Sequence, residues 1–318
     1  MNTKLHQSIS FLEPGSTVAL VCPGSICLSL GHPEVTRNYL KSKYQLNAKI
    51  SQETTKSFSP KDRANFFLEQ LFDEKINLIG ILRGGEGCAD ILPYIHVYQK
   101  EIAKLKPKWL LGFSDFTALL IYFAQCYRWP VIHGASLLQF AEKRVDKNTE
   151  DITFNFLFGK NTRVYLEDLI PLNLAAKEER TLAGELTGGC LSLIDISIKD
   201  LWEIDTSNKI IFLEDVGEKA HKIIRNLKYL ERISKFDQIK ALILGDFSCQ
   251  LIGCGEEEQK NNHAQILKTI NNFASYHHFP VLYTRSIGHG FVNLPIVFCK
   301  NYQLQLGSTP KLILNESS

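Results

Sequence analysis

The stretch Trp109–Asp115, WLLGFSD, decides the fold of this chain and the place of its chemistry. A short apolar run ends at Gly112, and an apolar stretch of helical length, TALLIYFAQCY, begins at Thr117. This pattern predicts a strand, a tight turn and a helix, with Ser114 in the turn. Amide groups at the start of a helix point at whatever is bound there, so a serine in this turn is placed as a nucleophile. The strict G-x-S-x-G pattern is not met, because Phe116 replaces the second glycine, and a helix N-cap is the alternative role for Ser114.

The chain has 318 residues, which favours two domains over one large α/β unit. Its formal net charge is only +2 and no basic block occurs, so neither nucleic acid nor a membrane surface is expected as a partner. The first residues, MNTKLHQSISFLEPGS, lack the apolar segment of a secretory signal, and no apolar run is long enough to span a bilayer.

Eight cysteines are scattered along the chain, and without a signal they are expected to be reduced and buried. Cys249 and Cys254, followed by Glu256–Glu258 and His263, are the group that suggests a metal. Their C-x4-C spacing fits no common zinc pattern, which favours an ordinary loop. We expect no metal and no cofactor. The other cysteines are Cys22, Cys27, Cys88, Cys126, Cys190 and Cys299.

Apolar strand-like runs alternate with helix-like stretches from Thr17 to His133. The best-marked helix start is Ser59-Pro60, where a hydroxyl cap precedes a proline at the first helical position. Such alternation predicts an N-terminal α/β domain with a parallel sheet and helices on both of its faces. The predicted strands are Thr17–Cys22, Asn77–Leu82, Trp109–Phe113 and Pro130–Ile132, and the predicted helices are Pro33–Leu46, Ser59–Phe72, Ala89–Leu105 and one from Thr117.

A glycine-rich loop, Arg83–Gly87, follows the second of these strands. Three glycines in four positions let backbone approach a ligand closely, and the pattern matches neither a dinucleotide fingerprint nor a phosphate loop. We interpret the loop as a source of N–H donors, with a flexible turn as the alternative. Ligands of parallel sheets bind at the carboxyl ends of the strands, so this loop and Ser114 are expected to face one crevice.

The composition becomes mixed from Thr149 to Glu179, and a charged stretch, Lys177–Arg180, closes that region. We therefore place the N-terminal domain at 1–150, a connection at 151–180 and a C-terminal domain at 181–318. The second domain is predicted to be mixed α/β with strand-rich ends. Its predicted strands are Leu182–Thr187, Lys209–Glu214, Ala241–Gly245, Pro280–Tyr283, Tyr302–Leu306 and Lys311–Leu314, and its predicted helices begin at Gly188-Gly189 and span Ala220–Lys235 and Ala264–Tyr276.

A serine nucleophile needs a base, and the base needs an acid that orients it. His289 stands between two glycines just past a predicted strand, a setting that can aim an imidazole, and a plain loop histidine fits equally well. Glu214 ends an apolar strand and is the candidate to set the tautomer of His289, with Asp215 as its competitor. His133 is interpreted as a satisfied core histidine. The histidines interpreted as surface or helix-cap residues are His6, His221, His263, His277 and His278.

Three separated stretches together resemble the LD-carboxypeptidases, serine peptidases of the S66 type: GFSD around Ser114, LEDVGE around Glu214 and GHG around His289. The order serine, glutamate, histidine agrees with that family. The resemblance runs from about Pro14 to about Pro295, nearly the whole chain. Further matching elements are Pro14-Gly15, Arg83-Gly84-Gly85 with Leu92-Pro93, Thr187-Gly188-Gly189 with Leu191-Ser192-Leu193, and Asn293 with Leu294-Pro295.

This resemblance implies that the first domain carries the nucleophile and the second supplies the acid and the histidine. Ser114 is then the nucleophile, His289 the general base and acid, and Glu214 the residue that orients His289. The backbone N–H groups of Gly85 and Asp115 would form the oxyanion hole. The resemblance further implies release of the terminal D-alanine from murein tetrapeptides in the cytoplasm during cell-wall recycling, without a metal and as a homodimer.

Two positions and one segment depart from the family pattern, the segment being IVFCKNYQLQ after Pro295, which lacks the usual glycine. Glu86 stands where an aromatic residue is usual, and Cys190 where Asn is frequent. Glu86, beside the oxyanion loop, is therefore a candidate for substrate binding. Arg83 and Arg285 are candidates for binding the free carboxylate of a substrate, with a structural ion pair as the alternative. The other functions considered are hydrolysis of peptide-nucleotides of the microcin C type, known in the same family, and small-molecule binding without catalysis.

Overall fold

The computed structural model of the protein describes residues 9–24, 29, 31–160, 165–247 and 255–314. In this part of the chain, the strands form two sheets, one of six strands and one of eight. The strands are β1 (Thr17–Val21), β2 (Asn47–Ile50), β3 (Ile76–Ile81), β4 (Trp109–Gly112), β5 (Ile132–His133), β6 (Tyr165–Leu166), β7 (Ile170–Pro171), β8 (Thr181–Cys190), β9 (Ile210–Glu214), β10 (Ala241–Leu244), β11 (Val281–Tyr283), β12 (Ile296–Val297), β13 (Asn301–Gln305) and β14 (Lys311–Leu314).

Helices cover the sheets and connect their strands. They are α1 (His32–Tyr44), α2 (Pro60–Phe72), α3 (Cys88–His96), α4 (Gln99–Ile102), α5 (Thr117–Tyr127), α6 (Leu137–Ala141), α7 (Lys147–Leu157), α8 (Leu174–Lys177), α9 (Leu191–Ile196), α10 (Ala220–Arg232) and α11 (Glu256–Ser275). Two short 3-10 turns lie at Gln52–Thr54 and Ser114–Phe116.

The first sheet confirms the parallel α/β prediction. Its order is β12-β5-β4-β3-β1-β2, and β2, β1, β3, β4 and β5 run parallel to one another. The side chains of β4 are buried throughout, as expected for a central strand covered on both faces. The predicted cap is also present, because Ser59 Oγ accepts a hydrogen bond from the amide of Asp62 at 3.2 Å.

One strand of the first sheet comes from the far end of the chain. β12 pairs antiparallel with β5, and Ile296 lies opposite His133. The segment 165–171 in turn contributes β6 and β7 to the second sheet. The division of the chain at 150 and 180 remains a prediction.

The helix predicted over Ala89–Leu105 was wrong as a single element. The structure divides this stretch into α3 and α4, separated by Val97 and Tyr98. Val97 is 74% exposed, so at this point no burial stabilises a continuous helix. The amide of Tyr98 instead donates to the carbonyl of Ile95 at 3.0 Å, which closes a tighter turn.

The second sheet confirms the mixed α/β prediction. Its order is β6-β14-β13-β8-β9-β10-β11-β7, with β8 to β11 parallel and antiparallel strands on either side. β8 joins the two parts, because Thr181–Glu185 pairs antiparallel with β13 and Leu186–Cys190 pairs parallel with β9.

β8 continues through two glycines that we had placed at the start of a helix. Gly188 has φ +149°, and a Cβ there would lie 1.8 Å from the carbonyl oxygen of Phe212 on β9. The absence of a side chain therefore lets the two strands approach and extends β8 to Cys190. α9 then begins at Leu191.

The helix predicted over Ala264–Tyr276 also begins earlier than expected. α11 starts at Glu256, so Glu256–Glu258 form its first turn rather than a loop. Negative charge is favourable at this end of a helix, which explains the early start. Cys249 and Cys254, considered as metal ligands, lie outside the described residues.

Candidate active site

Ser114 lies where β4 ends and α5 begins, in the predicted turn. Its backbone is left-handed, with φ +58°, a conformation that costs a non-glycine residue about 1–3 kcal/mol. Gly84 of the glycine-rich loop packs directly against it, because a Cβ at Gly84 would lie 2.8 Å from both Cβ and Oγ of Ser114. The Ser114 side chain remains partly exposed. The turn thus presents a serine hydroxyl next to the glycine-rich loop.

His289 and Glu214 form a hydrogen-bonded pair on the second sheet. Nδ1 of His289 lies 2.6 Å from Oε2 of Glu214. The Glu214 side chain is fully buried and that of His289 is 12% exposed. Gly288 permits this contact, because it has φ +128° and a Cβ there would lie 3.0 Å from Glu214 Oε2. The competition between the two acids is thereby resolved: Glu214 is the acid that contacts His289.

Each member of the pair shifts the pKa of the other. Burial alone would raise the pKa of Glu214, but the charge of His289 and the contacts of His133 and His289 lower it to about 2. Burial alone would lower the pKa of His289, but the charge and hydrogen bond of Glu214, with the charges of Asp215 and Asp246, raise it above 6.5. Glu214 is therefore ionised at neutral pH and stabilises an imidazolium at His289.

The two halves of the site meet at Phe113. The ring of His289 lies 4.7 Å from the ring of Phe113, the residue before Ser114. Nε2 of His289 is buried and, among the described residues, has no hydrogen-bond partner. With Nδ1 held by Glu214, Nε2 is the nitrogen left to exchange a proton with a nucleophile or leaving group.

The side chain of Asp115 points away from this chemistry. Its Oδ2 accepts a hydrogen bond from the amide of Cys88 at 3.0 Å, and the carboxyl is 4% exposed. Burial raises the pKa of Asp115, opposed by the Cys88 hydrogen bonds and the charge of Arg63. The Asp115 side chain thus connects the Ser114 turn to the start of α3.

Arg63 was missed by the sequence analysis. This α2 residue is 9% exposed, and its Nη1 donates to the carbonyls of Gly24 at 3.0 Å, of Gly87 at 3.1 Å and of Pro23. It thereby joins the loops that follow β1 and β3. Gly85, in the middle of the second loop, is exposed with φ +147°. The signal in the sequence was an arginine on the largely apolar, buried side of an amphipathic helix.

Asp215 stabilises the neighbouring turn instead of orienting His289. Its Oδ2 accepts from the amide of Ser192 at 2.9 Å, and its Oδ1 lies 3.4 Å from the Cys190 thiol. Burial and the charge of Glu214 raise the pKa of Asp215 to about 6. Asp215 therefore links β9 to the turn between β8 and α9.

The substrate-binding candidates lie at the surface. Glu86 and Arg285 are exposed, and Arg83 is partly exposed. The loop of Arg285 is held by Asp168, whose carboxylate accepts from Thr284 Oγ1 at 2.8 Å and from Ser286 Oγ at 2.9 Å. The roles of the three candidates in binding remain predictions.

Two histidines agree only in part with their interpretation. His133 is buried as expected but is not satisfied, because among the described residues neither ring nitrogen has a hydrogen-bond partner, and its Nε2 lies 3.5 Å from Glu214. His277 lies just past the end of α11, where its amide donates to the carbonyl of Ala274, so the helix-cap alternative agrees with the structure, but its side chain is only 9% exposed and packs against Phe273 and Phe279. A signal for His133 was available, because it ends a strand at the same sheet edge as Ser114.

A groove of about 520 Å³ lies away from this site, near the amino end of β9. Four of its charged side chains pair with one another, Arg128 with Glu185 and Lys209 with Asp205, and Lys240 donates to the carbonyl of Ala183. Within the described residues, no group of three or more His, Cys, Asp or Glu side chains could hold a metal ion. Nor does any described helix combine the length and apolar character needed to cross a membrane.

Comparison with known proteins identifies the family of the chain. Residues 18–134 match the LD-carboxypeptidase N-terminal domain, and residues 183–304 match the LD-carboxypeptidase C-terminal domain. A putative carboxypeptidase of Rickettsia conorii is 31% identical over 317 residues, covering 98% of this chain and 96% of the relative. The murein tetrapeptide carboxypeptidase of Pseudomonas aeruginosa is 26% identical over 230 residues, covering 71% and 72% of the two chains.

The fold is also found among solved structures. An MccF-like protein from Bacillus anthracis superposes with a TM-score of 0.80 at 16% identity, covering 96% of this chain and 98% of that one. Both family domains and a relative of nearly full length are thus matched in sequence, and the fold is matched in structure. The chain belongs to the LD-carboxypeptidase family of S66 peptidases and is a hydrolase.

Proposed function

We propose that the chain is a serine LD-carboxypeptidase that releases the terminal D-alanine from murein tetrapeptides. Ser114 is the nucleophile, His289 the general base and acid, and Glu214 the residue that orients His289. The observation that carries this proposal is the buried contact of 2.6 Å between Glu214 and Nδ1 of His289, with Nε2 left unbonded and the His289 ring 4.7 Å from that of Phe113, the residue before Ser114.

In the proposed reaction, Ser114 Oγ attacks the carbonyl carbon of the last peptide bond while His289 Nε2 takes its proton. The resulting oxyanion is held by the backbone N–H groups of Gly85 and Asp115. Collapse breaks the C–N bond, and His289 returns the proton to the amine of the departing D-alanine. Water, deprotonated by His289, then hydrolyses the acyl-enzyme and restores the Ser114 hydroxyl.

The assignment of the oxyanion hole is supported by two contacts. Gly84 packs on Ser114, which supports a role for the amide of the next residue, Gly85, and Arg63 donates to the carbonyl of Gly87 in the same loop. The amide of Asp115 starts the turn that leads into α5. Loss of one such donor typically lowers kcat about 100- to 1,000-fold.

Recognition of a free carboxylate distinguishes a carboxypeptidase from an endopeptidase. Arg83 and Arg285 are proposed for this role, because each follows a strand whose end borders the site. Glu86 is proposed to contact the substrate beside the oxyanion loop. Arg83→Ala is expected to raise KM for the tetrapeptide, and an unchanged kcat/KM would remove Arg83 from this role.

The proposal extends to the cellular setting implied by the family resemblance: a cytoplasmic homodimer that acts on murein-derived peptides during wall recycling. Its support is the relative in Pseudomonas aeruginosa that is named a murein tetrapeptide carboxypeptidase. Sedimentation of the full chain tests the dimer.

A peptide-nucleotide of the microcin C type is the second candidate substrate. The observation in its favour is the TM-score of 0.80 with the MccF-like protein from Bacillus anthracis. The sequence relatives favour the murein peptide, because the match to the Pseudomonas aeruginosa enzyme is closer in sequence, 26% against 16% identity.

The deciding experiment measures D-alanine release from a murein tetrapeptide by wild type and by Ser114→Ala. Release by wild type alone is the expected result, and release by both proteins would contradict Ser114 as nucleophile. If neither protein releases D-alanine, the same pair is assayed on a peptide-nucleotide. Cleavage there by wild type alone would keep the catalytic assignment and replace the substrate.

A further inference from the structure

A second histidine lies on the other oxygen of Glu214. His133, the last residue of β5, is fully buried, and its Nε2 lies 3.5 Å from Glu214 Oε1. The other oxygen, Oε2, holds His289. Two imidazoles, one at the end of a first-sheet strand and one in a loop after the second sheet, therefore face the two oxygens of one buried carboxylate.

The remaining surroundings of His133 are apolar. Its ring lies 4.9 Å from that of Phe212 and 6.3 Å from that of Phe113. Among the described residues, neither ring nitrogen of His133 has a hydrogen-bond partner, and Glu214 Oε1 has none either. Buried polar atoms without a hydrogen-bond partner are energetically unfavourable. If His133 Nε2 and Glu214 Oε1 came closer by about half an ångström, they would form a normal hydrogen bond.

We propose that His133 is a positioning residue of the reaction, whose Nε2–H donates to Glu214 Oε1 and so fixes the carboxylate that orients His289. This inference rests on the proposed function, in which Glu214 orients His289. A histidine that merely fills space between Phe113 and Phe212 would have no such effect.

The charged groups around Glu214 and His289 determine how the titration of His289 should change when the His133 donor is removed. Glu214 faces His289 from β9, Asp215 follows Glu214, and Asp246 follows β10, while His133 faces Glu214 from β5. A donor on Oε1 draws part of the negative charge of Glu214 away from Oε2. Without that donor, Glu214 stabilises the imidazolium of His289 more strongly, and His289 loses its proton at higher pH.

The test follows the titration of the His289 ring by NMR in the full chain, with its signal assigned from His289→Gln. In His133→Phe, which keeps an aromatic ring but removes the donor, the His289 midpoint should rise by about half a pH unit or more. In His133→Gln, whose side-chain amide reaches the position of Nε2, the midpoint should return towards the wild-type value. The acid limb of kcat/KM should shift in the same direction.

A matched control is available elsewhere in the fold. His277 is also largely buried among aromatic rings, with its Nε2 3.7 Å from Glu231, remote from the site in the proposed mechanism. His277→Phe should leave the His289 midpoint unchanged. If His277→Phe shifts the His289 midpoint as His133→Phe does, the shift does not depend on the contact between His133 and Glu214, and the proposal fails.

The outcomes separate this inference from the proposed function. An unchanged or lowered midpoint in His133→Phe, or equal midpoints in the Phe and Gln variants, overturns the role of His133 even if wild type releases D-alanine. A raised midpoint in an enzyme that cleaves no tetrapeptide keeps the coupling and overturns the function. If the Phe variant does not fold, His133→Asn replaces it, because its shorter amide reaches only the position of Nδ1; equal midpoints for Asn and Gln would then overturn the proposal.

Discussion

The two halves of the candidate site are held in place by different forces. On the first sheet, Ser114 is positioned by close packing, because its left-handed turn leaves no room for a Cβ on Gly84. On the second sheet, Glu214 and His289 are positioned by charge and a hydrogen bond between buried groups. The nucleophile side should therefore respond to changes in volume, and the base side to changes in charge.

The largest effect is expected from removing the negative charge of Glu214 while keeping the shape of its side chain. Glu214→Gln keeps the volume of the side chain but removes the ionised acceptor that fixes Nδ1–H of His289. In serine proteases the corresponding change lowers kcat about 10⁴-fold, because the wrong tautomer is presented to the serine. We expect a loss of similar order, measured as kcat for D-alanine release.

A second glutamate supplies the control for this substitution. Glu231 also faces a histidine, His277 at 3.7 Å, but is half exposed and lies outside the site. Glu231→Gln should leave kcat within about twofold of wild type, since exposed ion pairs contribute little. Equal losses in the two variants would show that Glu214 acts through stability, and the contrast between the two halves would then disappear.

A smaller effect is expected from a change of volume on the nucleophile side. In Gly84→Ala the new Cβ would lie 2.8 Å from both Cβ and Oγ of Ser114, so the serine or the loop must move. A displacement of about 1 Å near the reacting atoms can cost on the order of 100-fold in rate. The expected signature is a lower kcat/KM together with a titration midpoint of His289 that does not change.

The control for Gly84 is a glycine with space around it. A Cβ at Gly255, which precedes α11, would meet no described atom within 4 Å, and its φ of −72° suits any residue. Gly255→Ala should retain wild-type kcat/KM. If Gly84→Ala is equally active, the packing observed between the glycine-rich loop and Ser114 does not position the nucleophile.

The contrast between the two halves of the site also bears on which features the sequence could predict. The β4–Ser114–α5 unit is local, with an apolar run, a turn and an apolar helix in succession, and its prediction was confirmed. Glu214 and His289 were identified as candidates because each follows an apolar strand, and their contact was then found in the structure. Local patterns of strand and turn thus predicted most of the fold and the position of the candidate residues.

What the sequence could not predict depends on contacts between distant segments. The pairing of β12 with β5 involves two residues on each strand, too few for a periodic signal. The continuation of β8 through Gly188 depends on its neighbour β9, and the helix start at Glu256 was hidden by polar composition. His133 looked like a core residue because the acid it faces is about 80 positions away.

The smallest expected effect is an opposite pH dependence of activity and of stability. The pKa of His289 is raised by Glu214, and catalysis requires the neutral imidazole. The acid limb of kcat/KM should therefore lie above the ordinary histidine value of about 6.5.

The same pKa shift affects the stability of the fold. Because the pKa of His289 is higher in the folded than in the unfolded state, its stabilising contribution is complete below the unfolded pKa and is lost as pH rises through the folded pKa. The lowered pKa of Glu214, about 2, contributes stability above its unfolded value, which is lost only as pH falls towards 2. As pH rises from below 6.5 through the raised pKa of His289, wild type should therefore gain activity while losing the stabilising contribution of the His289 imidazolium, whereas in Glu214→Gln that contribution is absent at every pH. Urea unfolding of both proteins across this range measures it as their difference in free energy of unfolding. A difference that stays constant while activity rises would mean that the group titrating in the rate profile is not His289.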